Sequence, residues 1–153
     1  MKLVIGLGNP GEAYKNTRHS VGYVVIDEIK NKNIIAAKTD TFMNDSGSFV
    51  KKQLAVHGSL STDDLFIVHD DLDIPLGKFK IQFGRGPKDH NGILDIEEKL
   101  GTKNFWRVRI GIDNRPLDNK PMGEVYTLEN FTPDEKEILE KVIKEICKKL
   151  ATL

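Results

Sequence analysis

The sequence predicts an α/β fold: a single domain spanning residues 1–153, with three layers, α/β/α, around a twisted, mixed and mostly parallel sheet. Three observations carry that prediction. The apolar runs Leu3-Val4-Ile5 and Leu65-Phe66-Ile67-Val68 each stop at a polar or glycine-rich loop, as buried strands do. Segments of helical spacing alternate with the strands, which implies crossover connections. The strand expected around Phe79 begins too soon after its predecessor for a parallel crossover, so the sheet is expected to be mixed.

Taken in order, the first strand runs into a tight loop containing Gly6, Gly8, Pro10 and Gly11. Val21, Val24, Val25 and Ile29 then fall at helical spacing, with Ser20 as the expected cap. Ile34 to Lys38 reads as a weaker strand. Phe49, Val50, Gln53, Leu54 and His57 put two apolar pairs on one helical face, and residues 58–64 form a polar turn. The Leu65 strand is expected to close at His69-Asp70-Asp71. Phe79, Ile81 and Phe83 alternate with Lys78, Lys80 and Gln82, the pattern of a strand buried on one face. A short helix is expected over residues 91–100. Trp106, Val108, Ile110 and Ile112 alternate in a last strand that ends near Asn114-Arg115-Pro116. The closing helix is the clearest: Thr132 caps it, Pro133 takes its first position and Glu135 completes a capping box. Ile138, Leu139, Val142, Ile143, Ile146 and Leu150 form its stripe, with Lys144, Lys148 and Lys149 toward the end that the helix dipole makes negative.

Lysine plus arginine and aspartate plus glutamate both total 23, so the formal net charge is zero. That excludes a protein that coats nucleic acid through bulk charge and confines any such contact to a local patch. The local surplus runs from Lys78 to Arg109, where eight basic residues (Lys78, Lys80, Arg85, Lys88, Lys99, Lys103, Arg107, Arg109) face four acidic ones (Asp89, Asp95, Glu97, Glu98). Such a run fits either an ordinary solvated face or RNA phosphates. The single cysteine, Cys147, excludes an internal disulfide framework and fits a reducing compartment. No apolar run approaches a membrane span, so a soluble cytoplasmic protein is expected.

Ligands of α/β sheets bind beyond the carboxyl ends of the strands, and three polar residues fall there: Asn9, Asn44 and Asp70. Gly6-x-Gly8-x-x-Gly11 matches a dinucleotide fingerprint on paper. Pro10, however, removes an amide and the next helix starts about ten residues later, so no dinucleotide is expected. His19 lies in the polar loop before the first helix; taken singly, such a histidine is more often an ordinary surface residue. Asp70 alters that reading. A carboxylate at a buried strand end can hold one imidazole nitrogen, favour the charged ring and leave the other nitrogen to take a proton from water. His69-Asp70-Asp71 also fits a solvated strand end or a metal site, but the four histidines lack paired ligand spacing such as H-E-x-x-H, so no metal is expected. Ser46, Ser48 and Ser59 lack a nucleophile-elbow context and Cys147 falls near an apolar helical face, which leaves water as the expected nucleophile.

Short stretches in a fixed order narrow the class. Gly6-Leu7-Gly8-Asn9-Pro10-Gly11 with Tyr14 and Thr17-Arg18-His19, then Thr41-Phe42-Met43-Asn44 with Ser46-Gly47, begin the series. His69-Asp70-Asp71-Leu72-Asp73, His90-Asn91-Gly92 and Arg109-Ile110-Gly111-Ile112 continue it. Together, and nearly end to end, they resemble bacterial-type peptidyl-tRNA hydrolases; Tyr126-Thr127-Leu128 and Phe131 resemble that family's closing segment. The resemblance implies hydrolysis of the ester between a peptide and the 3′-terminal ribose of tRNA, with His19 as general base and Asp70 orienting it. It implies a cleft lined by Asn9, Tyr14, Phe42, Met43, Asn44 and Asn91, with Lys88 and Arg109 contacting tRNA stem phosphates. Peptidyl-tRNA is the implied partner, no metal or organic cofactor is implied, and a monomer is expected. The chemistry is coherent, because a ribose alkoxide leaves far more easily than an amide nitrogen and one base with support for an oxyanion suffices. The alternative is a non-catalytic RNA-binding relative using the same cleft and basic face.

The chain also departs from that family. Between the first helix and Thr41 it is shorter than the usual form, which removes strand material from one side of the sheet and leaves an edge exposed or rebuilt. Ser20 stands where the family commonly has asparagine, and Gln82 where it often has lysine. Arg85-Gly86-Pro87-Lys88-Asp89 replaces a glycine-rich loop.

Overall fold

A computed structural model describes all 153 residues. The elements are β1 (Lys2–Gly6), α1 (Val21–Glu28), β2 (Ile34–Lys38), α2 (Ser46–Val56), β3 (Leu65–Pro75), β4 (Phe79–Phe83), α3 (Asn91–Leu100), β5 (Trp106–Asp113), α4 (Gly123–Leu128) and α5 (Pro133–Thr152). The strands form one sheet in the order β2-β1-β3-β5-β4. All neighbours are parallel except β4 and β5. The expected three layers and mixed, mostly parallel sheet are therefore present.

Period-two alternation divides the core. Val4, Phe66, Val68, Val108, Ile110 and Ile112 face α1 and α5, meeting Val25, Leu139, Ile143 and Ile146. Leu3, Ile5, Leu65 and Ile67 face the other way, toward Val50 of α2 and Ile93 and Ile96 of α3. The cap of α5 forms as its sequence implies: Thr132 Oγ1 accepts the Glu135 N–H at 3.2 Å, and Glu135 Oε1 accepts the Thr132 N–H at 2.9 Å.

The structure corrects several local expectations. β3 does not close at His69-Asp70-Asp71 but continues to Pro75, because those residues keep pairing with β5 through Asp71↔Gly111. The short link before β4 gives the expected mixed sheet, with β4 pairing antiparallel to β5, which lies between it and β3. Ser20 stands at the start of α1 without a capping bond, since its hydroxyl instead accepts the Asn9 N–H at 3.1 Å. α4 and its cleft-facing wall were not anticipated. β2 pairs only with β1, so the shortened side of the sheet ends in an exposed strand edge.

Gly22 of α1 serves close packing. A Cβ on Gly22 of α1 would lie 2.5 Å from the Val68 carbonyl oxygen and 2.6 Å from both the nitrogen and the oxygen of Leu7, all main-chain atoms. Gly22→Ala is therefore expected to destabilise the fold by about 1–3 kcal/mol, lowering Tm by roughly 2–4 °C per kcal/mol. A thermal melt identical to that of the parent would mean that α1 is not seated so closely on the sheet.

Candidate active site

The loop after β1, the strand β3 itself and the residue before α3 bring three side chains together near the carboxyl ends of the central strands. His19 Nδ1 lies 3.0 and 2.9 Å from the two oxygens of Asp70. His90 Nε2 lies 2.9 Å from Asp70 Oδ1. His90 Nδ1 accepts the Ile93 N–H at 3.3 Å, at the N-cap of α3, so the proton of His90 sits on Nε2 and is donated to Asp70. Asp70 is 2% exposed and accepts from both rings.

Electrostatics sorts these groups. Burial works against charge on His19, but the attraction and hydrogen bond of Asp70 outweigh it and raise the imidazole above its ordinary value. Burial likewise pushes Asp70 up, and the two histidines overcome it, holding the carboxylate well below its usual range. His69 is fully buried, donates Nδ1–H to the Asp70 carbonyl at 2.7 Å, and is driven down to about 3, chiefly by burial and then by His90. It is a neutral structural ring.

His19 lies where two grooves meet. The first, about 330 Å³, is polar and includes Asp73, Lys88, Asp89 and Arg115. The second, about 380 Å³, includes Asn9, Phe42, Met43, Asn44 and Leu128. Asn91, Glu124 and Thr127 line both. Asn9 Oδ1 accepts the Met43 N–H at 2.8 Å, which leaves its amide hydrogens as the available donors.

His19, Asp70 and His90 present ligand atoms within 4.8 Å of one another. With Nδ1 of His19 and Nε2 of His90 both donating to Asp70, a cation there would have to displace the protons that bind the carboxylate. The donor set is that of a hydrogen-bonded relay.

These parts have counterparts in known proteins. The family model described as peptidyl-tRNA hydrolase matches residues 3–35 and 27–153. The chain belongs to the peptidyl-tRNA hydrolase family. The peptidyl-tRNA hydrolase of Mycoplasmopsis synoviae (strain 53) is 40% identical over 164 residues, covering 95% of this chain and 85% of that relative. That of Aquifex aeolicus (strain VF5) is 38% identical over 167 residues, with the same shares. A crystal structure of peptidyl-tRNA hydrolase from Acinetobacter baumannii superposes with a TM-score of 0.80 at 26% identity, covering 97% of this chain and 86% of that one. A complex of peptidyl-tRNA hydrolase with n-propanol gives 0.82 at 26% identity, covering 99% and 87%. The reaction of this peptidyl-tRNA hydrolase is accordingly the hydrolysis of peptidyl-tRNA. No helix is long and apolar enough to cross a membrane.

Among the expected site residues, the structure brings His19, Asp70, Asn9, Phe42, Met43, Asn44 and Asn91 to the two grooves. Tyr14 lines neither groove; its ring meets Phe42 edge-on, with centroids 6.0 Å apart, and braces it from behind. Lys88 is exposed on the wall of the first groove. Arg109 gives Nε to Asp71 at 2.7 Å and Nη1 to Gln82 at 2.7 Å. Arg107 is 1% exposed and paired with Glu97 at 3.0 Å, so part of the basic surplus is internal. His90 is the member of this cluster that received no role from the sequence; the signal for it was its place in His90-Asn91-Gly92, just before the expected helix.

Proposed function

We propose that His19 is the general base of peptidyl-tRNA hydrolysis and that Asp70, steadied by His90, orients it. The observation that carries this is the commitment of His19 Nδ1 to both oxygens of a buried carboxylate, which leaves Nε2 for a water at the junction of the grooves. Nε2 takes a proton as the water oxygen attacks the ester carbonyl carbon. The tetrahedral oxyanion then collapses, the bond to the ribose oxygen breaks, and Nε2–H returns its proton to that oxygen. Peptide acid and free tRNA result. Carboxamide hydrogens of Asn9, with Asn44 and Asn91 nearby, support the oxyanion and hold the acyl group.

The chemistry of the grooves divides the substrate. The peptide suits the second groove, where carboxamides alternate with Phe42, Met43 and Leu128. The terminal nucleoside suits the polar first groove, with Lys88 contacting phosphate. Asp71 and Gln82 hold Nε and Nη1 of Arg109, which leaves Nη2 for a phosphate, but its side chain is largely buried while Lys88 is exposed, so of the two, Lys88 is the readier contact.

Initial rates on N-acetyl-aminoacyl-tRNA as a function of pH test this. The base must be neutral, and Asp70 raises its pKa, so kcat/KM is expected to fall with decreasing pH through a midpoint above the ordinary histidine value of 6.5. A flat profile, or a midpoint set by a carboxylic acid, would remove His19 from that role. Binding without turnover would favour the non-catalytic alternative.

A further inference from the structure

One buried charge pair beside the site is not used by this mechanism. Arg18, the neighbour of His19, is 5% exposed and Glu135, at the start of α5, is 3% exposed. Arg18 Nη2 donates to Glu135 Oε1 at 2.9 Å and Nη1 donates to the Tyr126 carbonyl at 3.0 Å. The guanidinium also lies 3.8 Å from the centre of the Tyr126 ring. Glu135 is held from two further sides, by the Thr132 N–H at 2.9 Å and by Asn114 Nδ2 at 3.0 Å. Burial pushes its carboxyl up, but these donors and Arg18 outweigh it and hold it below its ordinary value, which favours the carboxylate. The main chain is tied at the same place: the Arg18 N–H donates to the Glu129 carbonyl at 3.0 Å, and the Phe131 N–H donates to the Asn16 carbonyl at 3.1 Å.

A buried ion pair is weak ground for stability, because apolar residues of similar volume often serve as well. What a planar guanidinium adds is direction. Here it joins two walls of the cleft: the turn that presents His19, and α4, whose Glu124 and Thr127 line both grooves beside His19. We propose that Arg18 and Glu135 are positioning residues, a charged clamp that fixes His19 relative to α4 and so sets the distance between base and ester. The proposal rests on the reading of His19 as the base. Asp70 governs the charge on His19, so the clamp acts on the rate of the chemical step and leaves the pH midpoint in place.

Three variants test it. Glu135→Gln keeps the shape and an acceptor oxygen; Arg18→Met with Glu135→Met replaces both charges by apolar volume and strands neither. Each is assayed on N-acetyl-aminoacyl-tRNA at temperatures where circular dichroism shows it folded. The double variant is expected to lose about tenfold to a hundredfold in kcat, as misplacements of roughly 1 Å do, with KM within about twofold of the parent. Glu135→Gln is expected to lose less, and Arg18→Lys, which keeps the charge without the fork that reaches both Tyr126 and Glu135, to recover little of the rate lost in the double variant; near-parental kcat in Arg18→Lys would mean that direction is not what the guanidinium supplies. A lowered Tm with parental kcat overturns the clamp and leaves a packing role only. Should the double variant fail to fold, Glu135→Gln decides by the same criteria. His19→Ala is run alongside: if it retains turnover, the base reading falls and the clamp with it. If His19→Ala is inactive while the clamp variants keep parental kcat, the clamp alone is wrong.

Discussion

His19→Ala is expected to lower kcat/KM on N-acetyl-aminoacyl-tRNA by about 10²- to 10⁴-fold, the usual worth of a positioned base. Affinity for tRNA is expected to stay within about twofold, because most of it comes from phosphate and sugar contacts that the imidazole does not make. No other histidine is free to replace the lost ring. His90 spends Nδ1 on Ile93 and Nε2 on Asp70. His69 is fully buried, and its pKa of about 3 keeps it neutral and out of reach of solvent. His57 follows α2 and lines neither groove. The side chain of His19 is 16% exposed, so its removal opens a small space toward the cleft. Added imidazole is then expected to restore part of the rate in proportion to its neutral form. A variant within tenfold of the parent, with no response to imidazole, would place the base elsewhere.

The strands were legible where burial alone decides them and less so where partners do. Leu65-Phe66-Ile67-Val68 is apolar on both faces because helices cover both sides of the sheet, and hydropathy registers that directly. It does not register the continuation of β3, since His69, Asp70 and Asp71 are polar yet almost fully buried: Asp70 is satisfied by His90 and His19, Asp71 by Arg109, and His69 bonds the Asp70 carbonyl. Arg107 and Arg109 counted as surface charge for the same reason. They alternate with Val108 and Ile110 along β5, and their acidic partners, Glu97 and Asp71, lie on other elements. α4 escaped notice because six residues with Tyr126 and Thr127 buried and Val125 and Leu128 exposed make no helical stripe. The meeting of His19 with Asp70, 51 positions apart, was open to inference because strand ends in such sheets converge on one edge and because the family resemblance implies the pair. Nothing in spacing shows that a third group, His90, reaches the same carboxylate.

That third group shapes what Asp70→Asn should do. The carboxylate accepts two N–H bonds, whereas a carboxamide offers one acceptor oxygen and an amino group. His90 cannot reverse its tautomer without abandoning the Ile93 N–H, so the carboxamide oxygen goes to His90 and the amino group faces His19 Nδ1. His19 must then accept at Nδ1 and carry its proton on Nε2, presenting an N–H to the water where a lone pair is needed. Tautomer inversion of this kind costs about 10⁴ in a serine-protease triad, and a loss of about 10³- to 10⁴-fold in kcat/KM is expected here. The pH dependence gives a second, independent sign. With the carboxylate gone, burial is the remaining influence on the ring and it opposes charge, so the midpoint of the residual activity is expected to move to lower pH than in the parent. A small rate with an unmoved midpoint would mean that Asp70 holds geometry without setting the charge of His19. A near-parental rate would mean that the carboxylate is dispensable and that the base is oriented by something else.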